Sequence, residues 1–254
     1  MPNCYVDLGR LKNKYTGLNI DSNEGDDELL LMAEAASRYI DDYCHRVFYN
    51  YRAIKYYDGP KPRVRITDWD RIPEVRGYLS SWNTSYQLEL WGGDDLQSVN
   101  TLAVSTQGNR IYDAVLDSTK DYYLFPDNEF PKVRIDLDVI NGQFASWGFS
   151  RQRIKIDGIW GYNTSLTLSL ASPHSDIGLS DATITVSDVT EFTIGQTLLI
   201  DTEQMYITGI EGNLLVVQRA VNGTVATTHL AATSTYIYRY ADQVMHAPYI
   251  QASR

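Results

Sequence analysis

The chain has 254 residues, enough for one large core or for two or three small domains. Hydrophobic residues make up 43% of it and charged residues 21%, which is typical of a folded protein. The formal net charge is −10, which argues against a protein that grips nucleic-acid phosphates, because such binding needs clustered Lys and Arg. The 2 cysteines, Cys4 and Cys44, give neither a disulfide framework nor a metal-binding spacing.

Residues 1–50 predict a helical part. Apolar residues from Val6 to Tyr15 indicate a short first helix that ends near residues 16–17. Three acids at positions 26–28 then open a second helix over residues 26–47, since negative charge favours a helix N-terminus. Its apolar positions have spacings of three and four, and they are Leu29, Met32, Ala33, Ala36, Ile40, Tyr43, Cys44 and Val47. This pattern places Cys44 on the apolar face and predicts a buried free thiol there.

Residues 51–163 predict a β-rich domain. Arg63-Val-Arg-Ile66 alternates charged and apolar side chains, as a half-buried strand does, and the turn cluster at residues 58–62 precedes it. Further strands are predicted over residues 53–57, 86–91, 111–115, 133–138 and 152–158.

Residues 164–240 predict a separate small β-module, with the boundary within residues 163–173. Short strands at regular spacing indicate a small barrel or sandwich, and they are predicted over residues 182–187, 197–200, 203–207, 214–218 and 234–240. Residues 241–254 form a tail that could begin a helix, which Pro248 interrupts. The predicted fold class is therefore α+β.

No pattern typical of an active site is present. The 4 histidines show no metal-binding pair, and the chain has no nucleophile elbow, phosphate loop or dinucleotide fingerprint. Asp94-Asp95 or Asp136 with Asp138 could serve as glycosidase carboxylates, but 32 acids in the chain make such pairs expected by chance. We therefore predict a protein that is not an enzyme and that needs no cofactor or metal.

Three segments carry a family resemblance. The first is the N-terminal block, Leu8–Tyr15 followed by Asp26-Asp-Glu-Leu-Leu30 and the apolar stripe to Phe48. The second is the Asp-Tyr-x-Leu-x-Pro…Pro-Lys-x-x-Ile pattern from Asp121 to Ile135, and the third is Gly158-Ile-Trp-Gly-Tyr162. In this order they resemble the head-to-tail connector (adaptor) proteins of tailed bacteriophages. Residues 195–229 are similar to a β-module that recurs in phage virion proteins, inserted where shorter connectors continue directly to a C-terminal helix.

The resemblance implies a structural virion protein of the phage neck. Such proteins form a ring, commonly dodecameric, between the portal and the tail. The ring extends and seals the channel through which double-stranded DNA passes without specific binding, and it docks a downstream neck or tail protein. The first residues show no signal peptide and no run is long enough to span a bilayer, so we expect synthesis in the host bacterial cytoplasm and no membrane partner.

Two residue sets follow from this resemblance. Because the chain is acidic, Asp41, Asp42 and Asp242 are predicted to line the channel. The apolar helix positions Leu29, Met32, Ala36 and Ile40 are predicted as structural or interface residues. Trp160 and Tyr162 join this second set, with Trp160 expected to anchor the junction between the β-rich domain and the helices because it lies between two glycines.

The aromatic content leaves an alternative function open. Aromatic residues make up 12% of the chain, with 19 Tyr and 5 Trp. A carbohydrate- or receptor-binding module of a virion could stack sugars on Trp82, Trp91 or Trp147. Burial of these indoles in cores or subunit contacts is the simpler interpretation, and we favour it.

Overall fold

The structure is a computed structural model that describes residues 3–12, 23–60, 86–90, 93–162 and 165–245. The chain is mostly β, with one 19-residue helix near the N-terminus and three antiparallel sheets. It divides into two compact units: unit 1 comprises residues 1–52 and 161–254, and unit 2 comprises residues 53–160.

Two helices belong to unit 1. Helix α1 spans Leu8–Lys12 and helix α2 spans Asp26–Cys44. Three acids occupy the first turn of α2, where they favour the positive end of the helix dipole. The helix ends at His45, whose left-handed backbone lets its N–H reach the carbonyls of the last turn. The predicted long helix is thus confirmed, three residues shorter at its C-terminus.

Unit 2 contains two of the sheets. The chain forms strands β1 (Tyr51–Tyr57), β2 (Gln87–Glu89), β3 (Leu96–Val104), β4 (Ala114–Leu116), β5 (Tyr122–Phe125), β6 (Arg134–Leu137) and β7 (Ile154–Trp160). One sheet has the order β1-β7-β3-β4 and the other has the order β2-β6-β5. Along β7 every second residue from Ile154 to Trp160 is buried, because alternate side chains point to opposite faces of a sheet.

The third sheet lies in unit 1. Its strands are β8 (Leu166–Leu168), β9 (Thr183–Thr185), β10 (Thr197–Ile200), β11 (Glu203–Glu211), β12 (Leu214–Gln218) and β13 (Thr235–Tyr238). The strand order is β8-β13-β10-β11-β12-β9. One face covers an apolar core formed by Ala171, Ile177, Ile184, Val186, Phe192, Leu198, Ile200, Met205, Ile207, Leu215, Val217 and Ile237. A second, smaller cluster joins Cys4, Val6, Leu11 and Ala33 near α2.

Several sequence predictions need correction. The strands of the C-terminal third form an open six-stranded sheet, so within the described residues the predicted barrel is wrong. The prediction missed β3, whose apolar and polar residues do not alternate because two bulges interrupt its pairing with β7. Cys44 is exposed rather than buried, because it lies in the last turn, beyond the part of α2 that is covered. The predicted strand at residues 63–66 lies outside the described residues.

In the part of the chain that the structure describes, none of the helices combines the length and the apolar character needed to cross a bilayer.

Candidate functional site

Helix α2 has two faces of different exposure. Ala33, Ala36, Ser37 and Ile40 are buried against the rest of unit 1. On the opposite side lies a row of exposed side chains, here called the outer stripe, that consists of Leu31, Met32, Ala35, Tyr39 and Tyr43. Between 55% and 78% of the surface of its four large members is accessible. Contiguous exposed apolar side chains of this kind are typical of interaction surfaces.

Tyr5 fixes the inner face of α2. Its backbone N–H donates to Ser37 Oγ at 3.0 Å, and Ser37 Oγ–H in turn donates to the carbonyl of Ala33 at 2.7 Å. The Tyr5 hydroxyl donates to Asp41 and accepts the N–H of Phe48 at 3.0 Å. The N-terminal segment thereby ties the middle of α2 to the chain that leaves it.

A second set of polar contacts joins α2, the N-terminal segment and the chain that leaves α2 to the six-stranded sheet. Tyr206 on β11 donates its hydroxyl hydrogen to Glu34 at 2.8 Å. Thr197 on β10 donates to Asn3 at 3.0 Å, and Gln204 donates to the carbonyl of Asn50 at 3.1 Å. Because these buried groups are hydrogen-bonded, the helix has a defined orientation on the sheet. The outer stripe is therefore held on the accessible side of unit 1.

The charge on the outer side of α2 is entirely negative. Asp27, Glu28 and Asp42 are exposed there and form no ion pair with any described residue. Arg38 is the single basic residue of α2, and its guanidinium lies 5.3 Å from the Tyr5 ring and 4.7 Å from the Tyr49 ring, on the inner side. The outer stripe thus lies beside acids that no described basic side chain neutralises.

The three predicted channel residues have different environments. Asp41 is largely buried and pairs with Arg38 at 3.1 Å. Burial raises the pKa of Asp41, and the hydrogen bond from Tyr5 and the charge of Arg38 oppose this without cancelling it. Asp42 and Asp242 are exposed. That these three residues line a channel stays a prediction. The exposed side chains of Asp42 and Asp242 fit it better than Asp41, which is paired with Arg38.

The predicted apolar helix residues divide between the two faces. Ala36 and Ile40 belong to the buried face of α2, and Leu29 is half-buried. Met32 is 56% exposed and belongs to the outer stripe. The predicted apolar face mixes residues from two apolar rows of α2, and it omits Leu31 and Tyr39, which belong to the outer stripe. A second row of apolar residues on the same helix was the signal that could have revealed the outer stripe.

Trp160 is fully buried in unit 2. Its indole N–H donates to the carbonyl of Ala53 at 2.9 Å, its ring stacks on Tyr57 at 6.2 Å, and the Lys55 ammonium lies 4.3 Å from it. Its proposed role as a junction anchor stays a prediction. Tyr162, in unit 1, is 41% exposed; it contacts Phe48 edge-on and lies under the Arg46 guanidinium.

The two glycines around Trp160 have separate physical reasons. A side chain at Gly158 would meet the carbonyl oxygen of Ser98 at 2.5 Å, at the bulged part of the pairing between β3 and β7. Gly161 has φ 117° and a Cβ there would lie 2.0 Å from the carbonyl oxygen of Tyr49. The Gly-Ile-Trp-Gly-Tyr segment is thus needed for backbone packing.

The segment from Asp121 to Ile135 forms the β5–β6 hairpin. Lys132 is 5% exposed, and its ammonium donates to the carbonyls of Pro126 and Asp127 and lies 4.5 Å from the Phe130 ring. The Lys of the Pro-Lys pattern therefore holds the turn together and is not presented to a ligand.

Sequence reasoning missed a buried ionic cluster around Glu203, at the start of β11. Arg219 donates to both of its carboxylate oxygens, at 2.6 and 2.8 Å, and Ala220 and Thr227 donate backbone N–H groups. His229 lies between two carboxylates, with Nε2 3.0 Å from Glu203 and Nδ1 2.7 Å from Asp201. Burial would raise the pKa of Glu203, but the hydrogen bonds from Arg219, His229 and the backbone lower it to about 2. Because Glu203 has all its acceptor sites occupied, the cluster fits a structural role.

The structure weakens the sugar-binding alternative. Trp147 is 1% exposed and donates its indole N–H to the carbonyl of Tyr86 at 2.8 Å, so it offers no stacking surface. Trp82 and Trp91 lie outside the described residues. Among the described side chains, no group of three or more His, Cys, Asp or Glu is arranged to hold a metal ion.

Comparison of the chain with protein-family models, with curated proteins and with solved structures finds no match.

Proposed function

We propose that the chain is a structural virion protein of the phage neck. Its copies form a ring between the portal and the tail, and this ring extends and seals the DNA channel and docks the next neck or tail protein. The observation that carries the proposal is the outer stripe of α2: a rigidly mounted helix exposes Leu31, Met32, Tyr39 and Tyr43 although its other face already completes a core. Contiguous exposed apolar side chains of this kind are unfavourable in water on a monomer. In a ring, the neighbouring subunit covers them.

Two further features support the proposal. The segments that resemble connector proteins serve backbone packing and turn closure, as expected of a scaffold that acts by its shape. The negative charge, with Asp42 and Asp242 exposed, suits a channel wall that repels DNA and so prevents it from sticking.

The experiment that tests the proposal mixes the purified chain with the portal ring of a candidate phage. Gradient sedimentation followed by negative-stain imaging is expected to show portal particles extended by one additional ring. A chain that stays at the top of the gradient, with portal particles of unchanged outline, would contradict the proposal. A parallel filter-binding assay should detect no retention of double-stranded DNA by the chain.

A further inference from the structure

The four-stranded sheet of unit 2 also has an uncovered apolar face. Ile54 and Tyr56 on β1 and Val115 on β4 point to this face and are 48%, 50% and 60% exposed. Tyr112 contacts Tyr56 there, with ring centroids 5.7 Å apart. These four residues, together with Lys155 on β7, are here called the sheet patch.

Lys155 gives the sheet patch a positive centre. Its side chain points to the same face as Val115, since both pair with Ala103 on β3. The ammonium lies 5.8 Å from the Tyr112 ring, and no described carboxylate forms an ion pair with it. Asp157 follows two residues later on the same face. The sheet patch is thus a largely apolar surface whose one cation, Lys155, pairs with no described carboxylate.

The outer stripe of α2 has the complementary character. It presents apolar and aromatic side chains beside three acids, Asp27, Glu28 and Asp42, that form no ion pair with a described residue, and it carries no base. Two outer stripes facing each other would bring these acids together, which is unfavourable. An outer stripe on a sheet patch instead buries apolar surface on both sides and gives Lys155 an acidic partner.

We propose that the outer stripe of one copy docks on the sheet patch of the next copy. The two surfaces are different, so the contact is heterologous: the copy that uses its stripe keeps a free patch, and the copy that uses its patch keeps a free stripe for a further neighbour. This inference rests on the proposed ring and identifies the subunit contact that builds it.

Two single substitutions separate the surfaces. Tyr39→Asp places a charge in the outer stripe, and Tyr56→Asp places one in the sheet patch; both side chains are about half exposed, so the fold should tolerate the change. Leu230→Asp in unit 1 and Ile140→Asp in unit 2 are matched controls, because these residues are 72% and 87% exposed and belong to neither surface. Circular dichroism should show that all four variants fold.

Sedimentation velocity at the highest soluble concentration then gives the result. Wild type and both controls should form closed oligomers, while Tyr39→Asp and Tyr56→Asp should each sediment as monomers. A mixture of these two variants keeps one intact stripe and one intact patch, so it should form a one-to-one dimer and nothing larger. Self-association of either variant alone should weaken by at least about tenfold, as charge mismatch at an interface does.

Other outcomes overturn the inference. Rings that survive both substitutions would place the subunit contact elsewhere and leave the proposed neck function standing. A mixture that stays monomeric would mean that stripe and patch do not meet. A wild-type chain that is monomeric at every concentration would also refute a contact built into the chain, whereas the portal experiment would still decide the function.

Discussion

Replacing Glu203 by Gln should destabilise unit 1 strongly although the change is isosteric. In the folded protein, hydrogen bonds from Arg219, His229 and two backbone N–H groups hold the pKa of Glu203 at about 2, against an ordinary value of 4.5. A pKa difference of one unit corresponds to about 1.4 kcal/mol. The lowered pKa of Glu203 therefore means that its ionised carboxylate stabilises the folded state by about 3 kcal/mol. Glutamine cannot carry this charge and turns an amide N–H₂ toward a cluster that is already rich in donors.

The stability of unit 1 should also depend on pH. A carboxylate with a lowered pKa contributes its full stability above pH 4.5 and loses it as the pH falls toward about 2. Wild type should therefore lose about 3 kcal/mol of unfolding free energy over this range, whereas Glu203→Gln should lose less, so the two proteins should converge in acid.

Hydrogen exchange of the β11 and β12 amides is the assay for this prediction. Tryptophan fluorescence is unsuitable, because all 5 Trp lie between residues 69 and 160 and therefore belong to unit 2. Their signal would not report on unit 1. Glu211→Gln is the matched control, since Glu211 lies on the same strand and is exposed. Equal protection of wild type and Glu203→Gln above pH 4.5 would refute the assigned role of the ionic cluster.

Three further predictions concern single side chains. Trp160→Ala should lower the unfolding free energy of unit 2 by about 3–5 kcal/mol, because it leaves a cavity at a buried site. Urea unfolding followed by tryptophan fluorescence measures this, and an unchanged midpoint would contradict the place of Trp160 in the core of unit 2. Cys44 is exposed and should react with a thiol reagent in the native protein, whereas Cys4 should react only after unfolding, since burial raises the pKa of Cys4 to about 12. Equal reaction rates of the two thiols in the native protein would disprove this. Lys132→Met should lower the unfolding free energy of unit 2 by about 1–3 kcal/mol, because it leaves the carbonyls of Pro126 and Asp127 without their donor. Unchanged stability in urea would argue against these hydrogen bonds.

Sequence periodicity predicted most of the regular structure. The acids at 26–28 located the start of α2. Strand-like runs located β7 and five of the six strands of the C-terminal sheet, two of them with their observed bounds, 197–200 and 214–218. Strand β8 was missed, because residues 163–173 are predicted as the domain boundary. It failed at β3, where bulges break the alternation. The barrel prediction failed because strand lengths and turns are local, whereas the order in which strands pair is not.

The candidate site was only partly predictable. Met32 is predicted as a structural or interface residue, but the period of α2 does not distinguish its buried stripe from its outer one, since both are apolar. The sheet patch depends on which strands are neighbours, and Tyr56, Tyr112 and Lys155 are far apart in sequence. The Glu203 cluster joins residues separated by up to 28 positions and has no local signature.

The native mass of the wild-type assembly, determined by mass spectrometry with and without the portal, tests the central claim most directly. The account predicts a single closed oligomer of the chain that binds the portal as one body. A chain that remains a monomer in the presence of the portal would contradict it.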